Sequence, residues 1–428
     1  RSRGLGDVYK RQATGPGLFT HEPLEPGTRA MVVPRALAIH PSMCRSAVSG
    51  AFGVERPGPS LTGRDCLVLY ILLHRVLEEA GCSAENDRTL CAWLRHAPYV
   101  RILPHYVPTP LSFTVAELCL LQDTSLQSGA NRRLRDTEVA SARVRTWLES
   151  CLAERPHSFI LVQALTRSDW LPLWRWADDM YGSRSFPERI AGYSGEVDEP
   201  VLVPGLDSFN HGRGAPVTWS YEGDQASGHT VLTLRTQVAP GMQVLNNYGA
   251  KSNEELLLSY GFVEPGGPDD VLVLRLHGPD AATHYWQRSS GSPPASLLAE
   301  LRTTLGFGEL PGPEPGPREK IQGLLTTARV LETLEQFLRL RRKRHRRADG
   351  MLAGIEPNVP IDGAADDETV RPEVLAAVRE YRQGTLNLLR PVTHPQARQT
   401  CSTAQYNGHR VRWTRSSRSS KASALRTR

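Results

Sequence analysis

Val201-Leu-Val-Pro-Gly-Leu-Asp207-Ser-Phe-Asn210-His211 and, further on, Leu245-Asn-Asn-Tyr248-Gly249-Ala-Lys251-Ser252-Asn253-Glu254-Glu255-Leu256-Leu-Leu-Ser-Tyr260-Gly261-Phe262 are the two runs whose reading decides the fold. The first is apolar and ends in an Asp, an Asn and a His. The second is extended up to Tyr248-Gly249, after which a short helix is closed by Tyr260-Gly261-Phe262. Polar side chains at the ends of buried elements are where sites are built, because the element fixes what the loop presents.

Taken in order, Asp207-x-x-Asn210-His211, Tyr248-Gly249-x-Lys251-Ser252-Asn253-x-Glu255-Leu256 and Tyr260-Gly261-Phe262 resemble the SET-domain protein methyltransferases. The branch is the one typified by the Rubisco large-subunit lysine methyltransferase, and the likeness runs from about Thr14 to about Arg390. The resemblance implies an α+β fold, a SET domain of short β-sheets with a pseudo-knot, interrupted by a helical insert and followed by an all-α C-terminal domain. On this sequence the SET domain is expected over 13–264, with its insert at about 65–176, and the helical domain over 265–390. Residues 391–428 lose hydrophobic periodicity and read as a disordered basic tail.

The same resemblance implies S-adenosyl-L-methionine as cofactor and a protein lysine as methyl acceptor, with the substrate docked by the C-terminal helical domain. Gly15, Pro16, Gly17 and Leu18 then wrap the methionine end of the cofactor, although Thr14 stands where relatives often carry an acid. Arg184 is expected on the cofactor's carboxylate, a bidentate task that suits a guanidinium. Asn210 and His211 take the adenine-edge and pseudo-knot positions, and Tyr260 borders both cofactor and substrate. Ser183 and Asp207 contribute backbone carbonyls around the methyl, Phe186 an apolar wall, and Tyr248 the catalytic hydroxyl. Read by themselves, Asn210 is also a turn residue, His211 a core histidine, and Arg184 a cation suited to a helix C-terminus. Two other functions stay open: transfer to histidine on the same scaffold, and a non-catalytic protein-binding relative. Phe186 favours lysine, because an imidazole needs a polar partner to be oriented.

Outward from these runs, Thr14–Thr20 and Gly27–Pro34 read as two short extended segments about a Gly-rich turn. Asp65–Glu79 has helical apolar spacing. Thr114 with Glu117 is a capping box for the helix that follows. Ala130–Trp176 reads as helical, broken at Pro156 and Pro172. Beyond the linker Glu264–Asp270, Val271–Leu276 alternates as a strand, and helices are expected at Ala295–Leu305, Arg318–Leu340 and Glu373–Leu389. The dense basic run Arg339–Arg347 is placed at a helix end.

Composition bounds the rest. The net charge of +6 comes from the tail: after His409 there are seven Lys or Arg and no acid, so the remainder carries −1. Nucleic-acid binding by the folded body is therefore not expected. Seven cysteines form no Cys-x-x-Cys pair, which argues against a zinc site or disulfide framework and suits a reducing compartment. No metal is expected. No run of about 18 apolar residues occurs, so no membrane span is expected. Arg1–Gln12 has neither an initiating Met nor apolar periodicity and reads as a non-native leader. Cytoplasm or nucleus is the expected compartment, or chloroplast if a transit peptide precedes Arg1.

Overall fold

A computed structural model describes residues 5–10, 16–54, 61–81, 92–156, 159–195, 198–276, 282–287, 290, 292–307, 316–358 and 367–389. It divides into two compact units, 1–289 with 340–388, and 290–339 with 389–428.

The first unit is built from several small sheets and a helical mass. Strand β1 (Leu5–Lys10) pairs antiparallel with β2 (Pro16–Thr20), so a stretch whose sequence gives no reason to fold takes part in a hairpin. β3 (Arg29–Pro34) does not pair with β2. It joins β6 (Val217–Glu222) and β7 (His229–Leu234) in a sheet of order β3-β7-β6. The two extended segments of the N-terminal region are thus present, but they do not pair with each other: β2 takes the preceding β1 and β3 the distant β7. β4 (Ser185–Phe186) pairs with β5 (Val201–Leu202), and β8 (Val271–Leu274) with β9 (His284–Gln287).

Between β3 and β4 lie α1 (Pro41–Phe52), α2 (Gly63–Glu79), α3 (Ala97–Ile102), α4 (Val115–Cys119), α5 (Ser125–Glu154), α6 (Phe159–Leu165) and α7 (Trp170–Arg184). Thr62 and Asp65 cap α2 reciprocally. Every residue from Cys66 to His74 on that helix is buried, so α2 is the axis around which the others pack. Thr114 and Glu117 form the expected capping box on α4. Pro172 does not break the helical passage. It lies in the first turn of α7, where a missing N–H costs no intrahelical bond.

A second core, beneath the β-sheets, joins Leu18, Val33, Val203, Leu206, Phe209, Leu232 and Val244. A third joins α4 and α5 to α8 (Asn253–Tyr260) and α11 (Pro372–Leu388) through Leu121, Leu126, Leu257, Val374, Leu375 and Tyr381. In the second unit α9 (Ala295–Thr304) buries Leu297 and Leu301, and the first part of α10 (Pro317–Leu352) buries Val330, Leu334 and Leu338. The basic run is inside α10, not at its end, since the helix continues to Leu352. His345 is fully buried while Lys343, Arg344, Arg346 and Arg347 are exposed, so one buried face lets the helix continue through the charges. Among the described residues no helix is long and apolar enough to cross a membrane, and no cluster of His, Cys, Asp or Glu could hold a metal ion.

Candidate active site

Hydrophobic burial positions the first run. Val201, Leu202, Val203, Leu206 and Phe209 are all inaccessible to solvent, each contributing roughly 1.5–3 kcal/mol. The polar residues between and after them are held at the edge of that core. Gly205, at φ 89°, makes the turn that brings Asp207 back toward its own backbone.

Asp207 is the hub. Its buried carboxylate accepts from the Tyr99 hydroxyl at 2.9 Å, from Arg184 Nη1 at 2.9 Å and from the Gly205 N–H at 3.1 Å. Its carbonyl also accepts from Arg184 Nη1, at 3.2 Å. Arg184 is the last residue of α7, and its Nε is buried with no partner. One nitrogen of the guanidinium is thus spent on Asp207, and a polar atom on another edge is left for a ligand. Tyr99 is pushed well up by burial and by the Asp207 charge, which keeps it a donor.

Tyr248 is fixed on three sides. Its hydroxyl donates to the Phe209 carbonyl at 2.9 Å, its N–H donates to His211 Nδ1 at 3.1 Å, and its ring stacks on His211 with centroids 4.9 Å apart. The Tyr260 ring lies 5.0 Å away on a tilt of 32°. Burial raises the Tyr248 hydroxyl far above the ordinary phenol range, so it remains protonated. His211 must present a bare Nδ1, which assigns its proton to Nε2, 3.9 Å from Glu264 Oε1. Burial lowers its pKa and keeps the ring neutral. The His211 ring therefore positions Tyr248 as well as its own backbone, which forms a parallel bridge to Asn246.

Asn210 points the other way. Its Nδ2 donates to the Pro16 carbonyl at 3.1 Å, and a Cβ added to Gly17 would come within 2.8 Å of that same Nδ2. Leu18 is buried, and its carbonyl accepts from the Val244 N–H at 2.8 Å. Gly15 lies outside the described residues.

Ser183, Phe186, Asp207, Tyr248 and Tyr260 all line one cavity of about 570 Å³, together with Arg184. Phe186 is buried and edge-on to Trp219, with centroids 5.6 Å apart at 88°. Ser183 Oγ donates to the Asp179 carbonyl at 2.7 Å. Pro16, Gly17, Leu18, Asn210 and His211 are not among the cavity's lining residues. Asn210 joins Pro16 through its amide, and His211 lies against the Tyr248 ring.

Sequence reading missed Tyr99, Trp219 and Asn246. Trp219 Nε1 donates to Asn246 Oδ1 at 2.8 Å, and Asn246 Oδ1 also takes the Asn247 N–H at 2.8 Å. A buried asparagine directly before the tyrosine run was the available signal. For Tyr99 it is the bond to Asp207 that spacing does not reveal, since the two are 108 residues apart.

No family model matches the chain. The solved SET domain of LSMT bound to lysine and AdoHcy superimposes on 95% of this chain and 93% of its own, with a TM-score of 0.60 at 18% identity. The fold is that of a SET domain. Among curated relatives, the ribosomal lysine N-methyltransferase set10 of Schizosaccharomyces pombe is 31% identical over 178 residues, 42% of this chain. The actin-histidine N-methyltransferase of Drosophila melanogaster is 28% identical over 191 residues, again 42%. The matched stretch spans 30% and 34% of those two proteins, about a third of their length. The SET fold is of the type found in Rubisco LSMT, with a largely helical C-terminal region.

Proposed function

We propose that this SET domain is an S-adenosylmethionine-dependent protein-lysine N-methyltransferase. The observation that carries the reading is the double attachment of Tyr248, by hydroxyl to Phe209 and by ring to His211, at the inner wall of a cavity that would take one long side chain. Lysine is favoured over histidine because the wall at Phe186 is apolar and faces Trp219 edge-on.

The residues fit the cofactor. The partnerless Arg184 Nε suits a carboxylate, while at Gly17 the side chains of Gln243 and Asn210 close on the Cα so tightly that only glycine fits. Bound there, S-adenosylmethionine supplies a methyl group on a positively charged sulfur. The chain then has two tasks. A lysine ammonium, with a pKa of about 10.4 in water, must lose its proton, and burial between Phe186, Tyr248 and Tyr260 disfavours the charged form. The amine must also be held on a line with the methyl, at about 3–3.5 Å. Tyr248 supports that alignment. Its hydrogen is committed to Phe209, so its oxygen lone pairs can accept from the amine and aim the nitrogen's own lone pair forward. It does not act as a base, because burial keeps the phenol protonated and leaves no phenolate to take up a proton.

Incubation with isotopically labelled S-adenosylmethionine and a protein extract, followed by mass-spectrometric mapping, tests the reading. Label on lysine is the expected result. Label on histidine would replace it with the histidine reading, and cofactor binding without label on any protein would leave a binding module.

A further inference from the structure

The lining of the cavity is cationic. Arg184, Arg189 and Lys251 line it, against the single carboxylate of Asp207. That carboxylate is already held by Arg184, Tyr99 and Gly205. Lys251 Nζ lies 3.6 Å from Glu255 Oε1, a partly exposed pair four residues apart, of the kind that holds weakly. The other oxygen of Glu255 is taken up by the N–H and hydroxyl of Ser252.

Arg189 differs from both. It is exposed on the 3-10 turn Glu188–Ala191 and makes no ion pair with any described residue. The adjacent Glu188 cannot serve it, being buried and turned inward onto His40 at 3.3 Å and the N–H groups of Gly195 and Glu199. A guanidinium at the mouth of a channel, with its fork open, is a site for a carboxylate.

We propose that Arg189 is a specificity-determining residue that selects acceptor lysines flanked by Asp or Glu. The inference rests on the lysine reading above and adds the class of peptide. A cavity that holds one side chain leaves the residues before and after it at the rim, since neighbours along an extended chain lie about 3.3–3.6 Å apart per residue. An acidic neighbour therefore meets Arg189 and Lys251, and a basic one is repelled by them. The same positive field opposes an ammonium inside the channel, so the rim favours both a neutral acceptor amine and an anionic flank.

The test uses the full chain and blocked lysine peptides identical except for Glu, Ala or Arg within two positions of the lysine. Binding is read by fluorescence anisotropy at low and high salt, without turnover. The Glu-flanked peptide should bind about tenfold or more tighter than the Arg-flanked one, with the gap narrowing in salt. Arg189→Ala should remove most of the gap, and Arg189→Glu should reverse the order. Wild-type binding indifferent to the flank overturns the proposal, as does an unchanged order in Arg189→Glu or no binding of any peptide at millimolar concentration. Flank-dependent binding without methyl transfer would sink the enzyme reading alone. Lysine methylation indifferent to flanking charge would sink this inference alone.

Discussion

A phenol that donates its hydrogen to a main-chain carbonyl keeps both lone pairs for an incoming donor, and Tyr248 is held in that state by Phe209. Tyr248→Phe removes the acceptor while the stack on His211 and the N–H bond to Nδ1 persist. Turnover should fall by roughly 10²-fold or more, with S-adenosylmethionine affinity unchanged by calorimetry; near-normal single-turnover rates would remove Tyr248 from the mechanism. Arg184 has two duties that one substitution cannot separate. Arg184→Ala should weaken cofactor binding by about 2–4 kcal/mol and also strand the buried Asp207 carboxylate. Arg184→Lys separates them. An ammonium can still neutralise Asp207, so thermal stability should largely return, while the lost fork leaves cofactor affinity low. Calorimetry on both variants checks this, and wild-type affinity in Arg184→Lys would mean the guanidinium fork is not what holds the cofactor.

Helix α8 shows how an element carries a site residue. Ser252 and Glu255 cap its start reciprocally, Asn253 is pinned by Asp270 and Glu264, and Gly261 closes it at φ 78°. A Cβ at Gly261 would also press to 2.9 Å from the Pro108 carbonyl carbon. Gly261→Ala should therefore cost about 1–2 kcal/mol for the left-handed backbone alone, read as a lower urea midpoint. It should weaken lysine-peptide binding as well, because Tyr260 immediately precedes it on the channel wall; a wild-type midpoint would show that the turn yields freely. Such local devices are what the sequence makes legible. The capping box at Thr114 follows from residue spacing alone, as does the short helix ending in Tyr-Gly-Phe. Pairing across the fold is not legible in that way. Nothing near Tyr99 announces Asp207, and β3 reads as a strand without revealing that β7, rather than β2, is its neighbour. Pro172 and the Arg339–Arg347 run mislead for a related reason: residue type suggests a break or an end, while position in the first turn and one buried face decide otherwise.

At the scale of the molecule, the helical core stores unprotonated histidines. His74 is lowered to about 3 and His96 to about 4, both first by burial, and His345 to about 4 by burial and then the nearby Arg382. His74 sits edge-on to Tyr70, which bonds His96 Nδ1 at 2.7 Å, and the Nε2 atoms of His74 and His96 have no partner. In the unfolded chain each titrates near 6.5. Between that value and the folded one the unfolded state binds more protons, so their contribution is intact above about pH 6.5 and is lost as pH falls through the window. The slope is about 1.4 kcal/mol per pH unit for each ring that stays neutral when folded. Asp179 acts in the opposite sense. Burial raises its carboxyl to about 7, so it gives back stability as pH falls from 7 toward the ordinary carboxylate range. Total stability against pH mixes these signs, whereas a difference between variants does not. His74→Phe keeps an aromatic ring against Tyr70 and deletes one titration. Urea unfolding of both proteins at pH 7.5, 6 and 5 should show the wild type losing more stability than His74→Phe, by about 2 kcal/mol between pH 7.5 and pH 5. Parallel pH profiles would mean that the buried ring takes up its proton in the folded state at no cost, and that water reaches a helix on which every residue from Cys66 to His74 is buried.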